Sequence, residues 1–155
     1  MMRWTNPAYI QMMINGEAVR RKLMKQFEKD IIYVEKSWGW EKWFANTPDY
    51  CGKELFVRRN KWSSKGNYHY HKIKDETFYV IKGSLILNYV VVIDEKDIFH
   101  SVTLPSGSSF RITPNIKHRF STITLGGCKF IEASTHHDDE DSYRCYYDKG
   151  EWIHD

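Results

Sequence analysis

The sequence predicts a mainly β protein, an antiparallel sandwich or barrel with a helical extension at its N-terminal end. Three observations carry that expectation. First, "KELFVRR", "NYHYH", "ETFYVIKG", "SLILNYVVVI", "FHSVTLP", "SFRITP", "HRFSTITL" and "CKFIEAST" are short β-type runs. Between them stand turn clusters such as "RNKWSSKG", "DEKD", "PSG", "TPNIK" and "LGG". Many short strands at such spacing form antiparallel sheets that close on themselves. Second, 155 residues suffice for one domain with a real core and fall short of two. Third, 41% hydrophobic residues, with six Trp, ten Tyr and eight Phe, make a globular composition rather than a disordered one.

In chain order, residues 7–27 read as a helix. Ile10, Met13 and Ile14, then Val19, Leu23 and Phe27, recur at three- and four-residue spacing, and Gly16 interrupts the run. Arg20, Arg21, Lys25 and Glu28 take the opposite face, so the stripe is expected to pack on the domain or a partner chain. We divide the chain into a helical extension (residues 1–33), a β-barrel (34–135) and an acidic, aromatic tail (136–155). The tail is expected to be partly ordered by its Tyr and Trp residues and frayed at its end. No apolar run approaches the roughly 20 residues that span a bilayer, and the N-terminus lacks a signal-peptide pattern. Cys51, Cys128 and Cys145 are odd in number and form no CxxC pair, as in reduced intracellular proteins. These readings predict a cytoplasmic protein with no membrane partner.

Charge is uneven along the chain. Residues 136–155 hold seven Asp and Glu against Arg144 and Lys149, so they carry −5 and residues 1–135 carry +8 of the net +3. A basic body steers anions such as phosphate, although an ordinary solvated surface has the same composition. A small-molecule partner is expected, and no nucleic acid.

The chemistry concentrates in "HYHKIKDETFYVIKG", from His69 to Gly83. Alternate strand residues face the same way, so His69 and His71 point together while Tyr68 and Tyr70 point oppositely. After a bend at "KIKD", Glu76 opens a new strand and shares its face with Phe78 and Val80. Two imidazoles and a carboxylate converging on a barrel interior suit a divalent transition metal. His118, which follows the turn "TPNIK" and shares a face with Phe120 and Thr122, is the candidate for a fourth ligand.

These segments resemble the two motifs of the cupin superfamily. His69, His71, Glu76 after four intervening residues, and Gly83 after six more match the first; "GSSFRITPNIKHRF", from Gly107 to Phe120, is similar to the second. The resemblance implies a small antiparallel barrel of jelly-roll type over roughly residues 36–135. It further implies His69, His71, Glu76 and His118 as ligands of one divalent transition metal (Mn, Fe, Zn, Co or Ni). The family's leading glycine falls on Ser63, Thr113 takes the proline place, Asn115 a turn glycine and Thr122 an asparagine. Asn tolerates the left-handed conformation a turn glycine supplies. A narrower likeness, carried by "KSWGWEKWFANTPDYCGKELFV", "ITPNIKHRF" and "EASTHHDDEDSYR", is to stand-alone sugar-isomerase-like cupins, similar to the cupin domain of type II mannose-6-phosphate isomerases. It implies aldose–ketose interconversion of a sugar or sugar phosphate.

Such chemistry needs a base near a carbon-bound proton. Glu132, alternating with Phe130 and Ser134, is the candidate, with a hydrogen bond to a ligand histidine or a neighbouring strand as its other reading. Lys74 either polarises a substrate oxygen or is a solvated turn lysine. Arg58, Arg59, Lys61 and Arg111 are candidates for phosphate, and adjacent Arg58 and Arg59 face opposite ways. Trp38, Trp40 and Trp43 either stack on a sugar or close the barrel end. "HHDD", residues 136–139, reads as a second metal site or as a flexible acidic stretch. Beside the isomerase stand a non-haem Fe(II) dioxygenase, a non-catalytic sugar-binding module, and a metal-free epimerase using barrel histidines as acid and base. Open strand edges and the spare amphipathic helix lead us to expect a homodimer.

Overall fold

The computed structural model describes residues 31–154. The expected helix over residues 7–27 lies outside them. The twelve strands are β1 (Ile32–Lys36), β2 (Gly39–Asn46), β3 (Cys51–Val57), β4 (Tyr68–Tyr70), β5 (Glu76–Lys82), β6 (Ser84–Ile93), β7 (Lys96–Pro105), β8 (Ser109–Ile112), β9 (Lys117–Ser121), β10 (Cys128–Ser134), β11 (Tyr143–Asp148) and β12 (Glu151–His154). They form two six-stranded antiparallel sheets, ordered β1-β2-β3-β10-β5-β8 and β12-β11-β4-β9-β6-β7.

Alternation sets which face is apolar. In β10, Cys128, Phe130 and Glu132 are buried, while Lys129 and Ile131 on the opposite face are only partly so. Leu55, Val57, Phe78, Val80 and Phe130 from the first sheet meet Leu85, Leu87 and Phe120 from the second in one core. Burying a Phe of this kind contributes about 2–3 kcal/mol. At this core the ring of Phe120 meets Trp38, Phe78 and Phe130 edge-on. Trp38 is thus part of the core.

Two features extend the strand pattern read from the sequence. "KSWGW" makes a hairpin, so the first sheet begins at Ile32. The acidic tail forms the β11–β12 hairpin, and β11 pairs with β4, placing Arg144 opposite His69. Tyr68, Val90 and Cys145 build a second small cluster there, with Tyr70 and Trp152 packed on it. Turn chemistry fixes the ligand strands. Asn115 takes the left-handed conformation (φ 69°) in the turn before β9, as its place in the motif predicts. Gly83 (φ +82°) joins β5 to β6, and a Cβ there would lie 2.6 Å from the Gly127 carbonyl oxygen.

Candidate metal centre

His69 in β4, His71 just past its end, Glu76 at the start of β5 and His118 in β9 each offer a ligand atom, all within 4.8 Å of one another. Register explains the convergence: His69 and His118 are paired across β4 and β9, and Glu76 arrives from the facing sheet. His71, Glu76 and His118 are buried, and His69 is half-buried.

Each imidazole is held by its Nδ1. His71 Nδ1 lies 2.6 Å from the Asp141 carbonyl oxygen and His118 Nδ1 lies 2.9 Å from that of Ile116. A carbonyl only accepts, so both Nδ1 atoms carry the hydrogen and both Nε2 atoms are lone-pair donors. His69 Nδ1 meets the Ser64 hydroxyl at 3.3 Å. Burial holds His69 well below the usual imidazole value and lowers His71 as well. Neutral rings are the ligating form.

The centre fits a cation on a geometric observation. Glu76 Oε1 and His118 Nε2 are buried 2.9 Å apart, yet neither has a hydrogen-bond partner. With Nδ1 of His118 protonated, the pair is a lone pair facing a carboxylate oxygen. A divalent metal between imidazole and carboxylate resolves it. Burial opposes the charge on Glu76, but the Lys74 ammonium outweighs it and holds the carboxyl well below the usual range.

Beside the centre runs a buried charge ladder across the inner face of the first sheet. Lys74 Nζ lies 2.7 Å from Glu76 Oε2 and 2.6 Å from Glu132 Oε1. Lys53 Nζ lies 3.7 Å from Glu132 Oε1 and 3.8 Å from Glu41 Oε2. Burial works against the Lys74 ammonium, yet Glu132 and Glu76 outweigh it and raise Lys74 above the usual lysine value. Glu132 is likewise lowered against its burial by Lys74 and Lys53. Lys74 is therefore a buried ladder member rather than a solvated turn residue. Holding so many charges inside a barrel costs stability unless each is paired.

His69, His71 and Glu76 of the cluster, together with the ladder, line a cavity of about 430 Å³. Leu55, Phe78, Phe120 and Trp38 form its apolar wall; Lys36, Lys65, His137, Asp139 and Arg144 are among its polar lining. Arg58 pairs with Glu35, Arg59 with the Ile123 carbonyl and Arg111 with Asp75, all at exposed positions, and neither they nor Lys61 line this cavity. Trp40 stacks on Phe56 outside it, and Trp43 packs edge-on against His137.

Sequence reasoning missed Asp141. Its carboxylate accepts the backbone N–H groups of Lys72 (2.8 Å), Ile73 (3.1 Å) and Lys74 (2.9 Å), while its carbonyl orients His71. Burial resists ionisation here, but the three amides prevail and hold the carboxyl below its usual value. The acidic tail thus builds the turn between two ligands, a long-range pairing that its charge alone does not reveal.

Fold and site together define a cupin-fold barrel with a three-histidine, one-glutamate centre at the base of a cavity. Solved structures agree on the fold. The capsular polysaccharide assembling protein CapF from Staphylococcus aureus superposes with a TM-score of 0.64 at 17% identity, over 77% of this chain and 33% of that one. Oxalate decarboxylase from Bacillus subtilis gives 0.63 at 15% identity, over 74% and 30%. KdgF from Halomonas gives 0.55 at 17% identity, over 70% and 89%. The chain spans only about a third of the length of the first two. No protein-family model and no curated protein matches the sequence. Among the described residues, no helix is long and apolar enough to cross a membrane.

Proposed function

We propose that this protein is a metal-dependent cupin that interconverts an aldose and a ketose, on a sugar or sugar phosphate, as its likeness to sugar-isomerase-like cupins implies. One observation carries the reading: Lys74 bridges the ligand Glu76 and the non-ligand Glu132, so a metal site and an acid–base pair share one cavity. A divalent metal held by His69, His71, Glu76 and His118 supplies Lewis acidity toward a carbonyl and its neighbouring hydroxyl oxygen. Glu132, kept ionised by Lys74 and Lys53, takes the proton from the carbon beside the carbonyl and returns it to the former carbonyl carbon, while the proton of the neighbouring hydroxyl passes to the former carbonyl oxygen. Its Oε1 carries the contacts to Lys74, Lys53 and Ser134, so Oε2 is the oxygen we assign to that transfer. Lys74 positions the carboxylate, and Leu55, Phe78, Phe120 and Trp38 form the apolar part of the wall. That CapF is a capsular polysaccharide assembling protein supports carbohydrate chemistry on this fold. We infer a cytoplasmic homodimer, with edge strands of the two sheets, β1, β8, β12 and β7 among the described residues, as its contact surfaces.

The test pairs elemental analysis of protein purified without chelator with deuterium incorporation from D2O into a panel of aldoses and aldose phosphates, read by NMR. Near-stoichiometric metal, lost in His71→Ala, and exchange at the carbon beside the carbonyl, lost in Glu132→Gln with metal retained, are expected. Metal without exchange into any sugar sinks the isomerase and leaves a metal-binding module; absence of metal after reconstitution sinks both.

A further inference from the structure

Every carboxylate that lines the cavity has a partner, but two of the cavity's cations do not. Glu41 meets Lys36 and Lys53, Glu132 meets Lys53 and Lys74, Glu76 meets Lys74, and Asp139 meets His137. Arg144 and Lys65 line the same cavity, and among the described residues neither side chain makes a hydrogen bond, an ion pair or a contact with an aromatic ring. Five cations, Lys36, Lys53, Lys65, Lys74 and Arg144, stand against four carboxylates before any histidine is counted. A divalent metal at the centre raises that excess of one positive charge to three. A neutral ligand leaves the excess uncompensated, whereas an anion offsets it.

Both cations flank His69, and the backbone sets each of them there. Arg144 in β11 is paired directly with His69 in β4. Directly opposed residues of antiparallel strands project to the same face, so the arginine leaves the sheet on the side of the ligand histidine. Lys65 follows Ser64, whose hydroxyl meets His69 Nδ1 at 3.3 Å. Ser64 (φ 50°), Lys65 (φ 56°) and Gly66 (φ 92°) all take the left-handed conformation. Two successive residues with a Cβ are strained there, and such a turn persists only where its surroundings hold it. Here β9 holds it: Ser63 Oγ accepts the Phe120 N–H at 3.0 Å, and the Gly66 carbonyl accepts from the Arg119 guanidinium. Lys65 thus rides on a turn fixed to the strand of His118. Both cations are exposed, and so open to a ligand that enters the cavity.

We propose that Arg144 and Lys65 together bind an anionic group of the ligand, a phosphate ester or a carboxylate, so that the cavity takes an acidic sugar in preference to a neutral one. The guanidinium offers such a group two parallel N–H donors, and the ammonium adds a point charge. The cations of the ladder are not available for this, because Glu41, Glu76 and Glu132 already pair with them. The inference rests on the carbohydrate part of the functional reading and is independent of catalysis.

The experiment titrates the full chain with its metal, by calorimetry, against glucose and mannose, their 6-phosphates, and glucuronate and mannuronate. At least one acidic sugar is expected to bind about tenfold or more tighter than its neutral parent. Whether phosphates or uronates do so identifies the anion the site takes. Arg144→Gln, at an exposed strand position, is expected to weaken that binding about tenfold, and Lys65→Asn about threefold, at unchanged metal content and unchanged affinity for the neutral sugars. Asn suits the left-handed position and keeps the turn. No acidic sugar bound more tightly than its parent, or equal affinity for it in the double variant, overturns the inference; the second result assigns the anion to the metal. Acidic-sugar binding that depends on both cations, in a protein that exchanges no deuterium into any sugar, keeps the inference and sinks the isomerase. Exchange into neutral sugars, with no acidic sugar bound more tightly, keeps the isomerase and overturns the inference.

Discussion

Removing the Asp141 carboxylate is the most informative single perturbation of the site. In Asp141→Ala three amides lose their acceptor at once. Lys72 and Ile73 are exposed and their amides recruit water, so each of those bonds contributes only a fraction of a kcal/mol. Lys74 is buried, and a charge-assisted bond to its amide contributes about 1.5–3 kcal/mol. The expected loss is about 2–4 kcal/mol, read as a lower urea midpoint at unchanged slope. Because the same residue orients His71 through its carbonyl, metal affinity is expected to fall about 10- to 100-fold. The pH dependence has a definite sign. The folded carboxyl titrates below its unfolded value of about 3.9, so its stabilisation is complete above that value and is lost as pH falls through the folded one. The gap between the protein and Asp141→Asn is therefore flat from about pH 8 to pH 5 and closes below about pH 4. An unchanged urea midpoint in Asp141→Ala, or a gap as wide at pH 3 as at pH 7, refutes the reasoning.

Three further expectations follow from the same contacts. His118→Ala abolishes stoichiometric metal, and chelator then no longer lowers the melting temperature, as calorimetry with and without chelator checks. Lys74→Met leaves Glu76 and Glu132 buried without their shared ammonium and costs about 3–5 kcal/mol in chemical unfolding, with part recovered in the Lys74→Met, Glu132→Gln double variant. Asn115→Val forces a β-branched residue into the left-handed region and costs about 1–2 kcal/mol, whereas Asn115→Gly stays within about 0.5 kcal/mol.

The mainly β class and the candidate ligand set were legible in the sequence because both are local patterns. Period-two alternation put His69 with His71, and Glu76 with Phe78 and Val80, on inward faces; turn chemistry placed His118 at the head of β9. Asn115 declared its left-handed turn by residue type alone. Local pattern also put Glu132 on a buried face, but not the company it keeps: that depends on Lys53 lying opposite it across β3 and β10. Lys74 read equally as a solvated turn residue, because its burial between two carboxylates is set by the facing strands. The tail was legible only as acidic and aromatic. Its place in the second sheet, the grip of Asp141 on the ligand turn some 67–69 residues away, and the pinning of His137 by Asn46 were decided by tertiary structure alone. The physical reason is that alternation and turn propensity act over a few residues, whereas a charge finds its partner only where the closed barrel brings distant strands together.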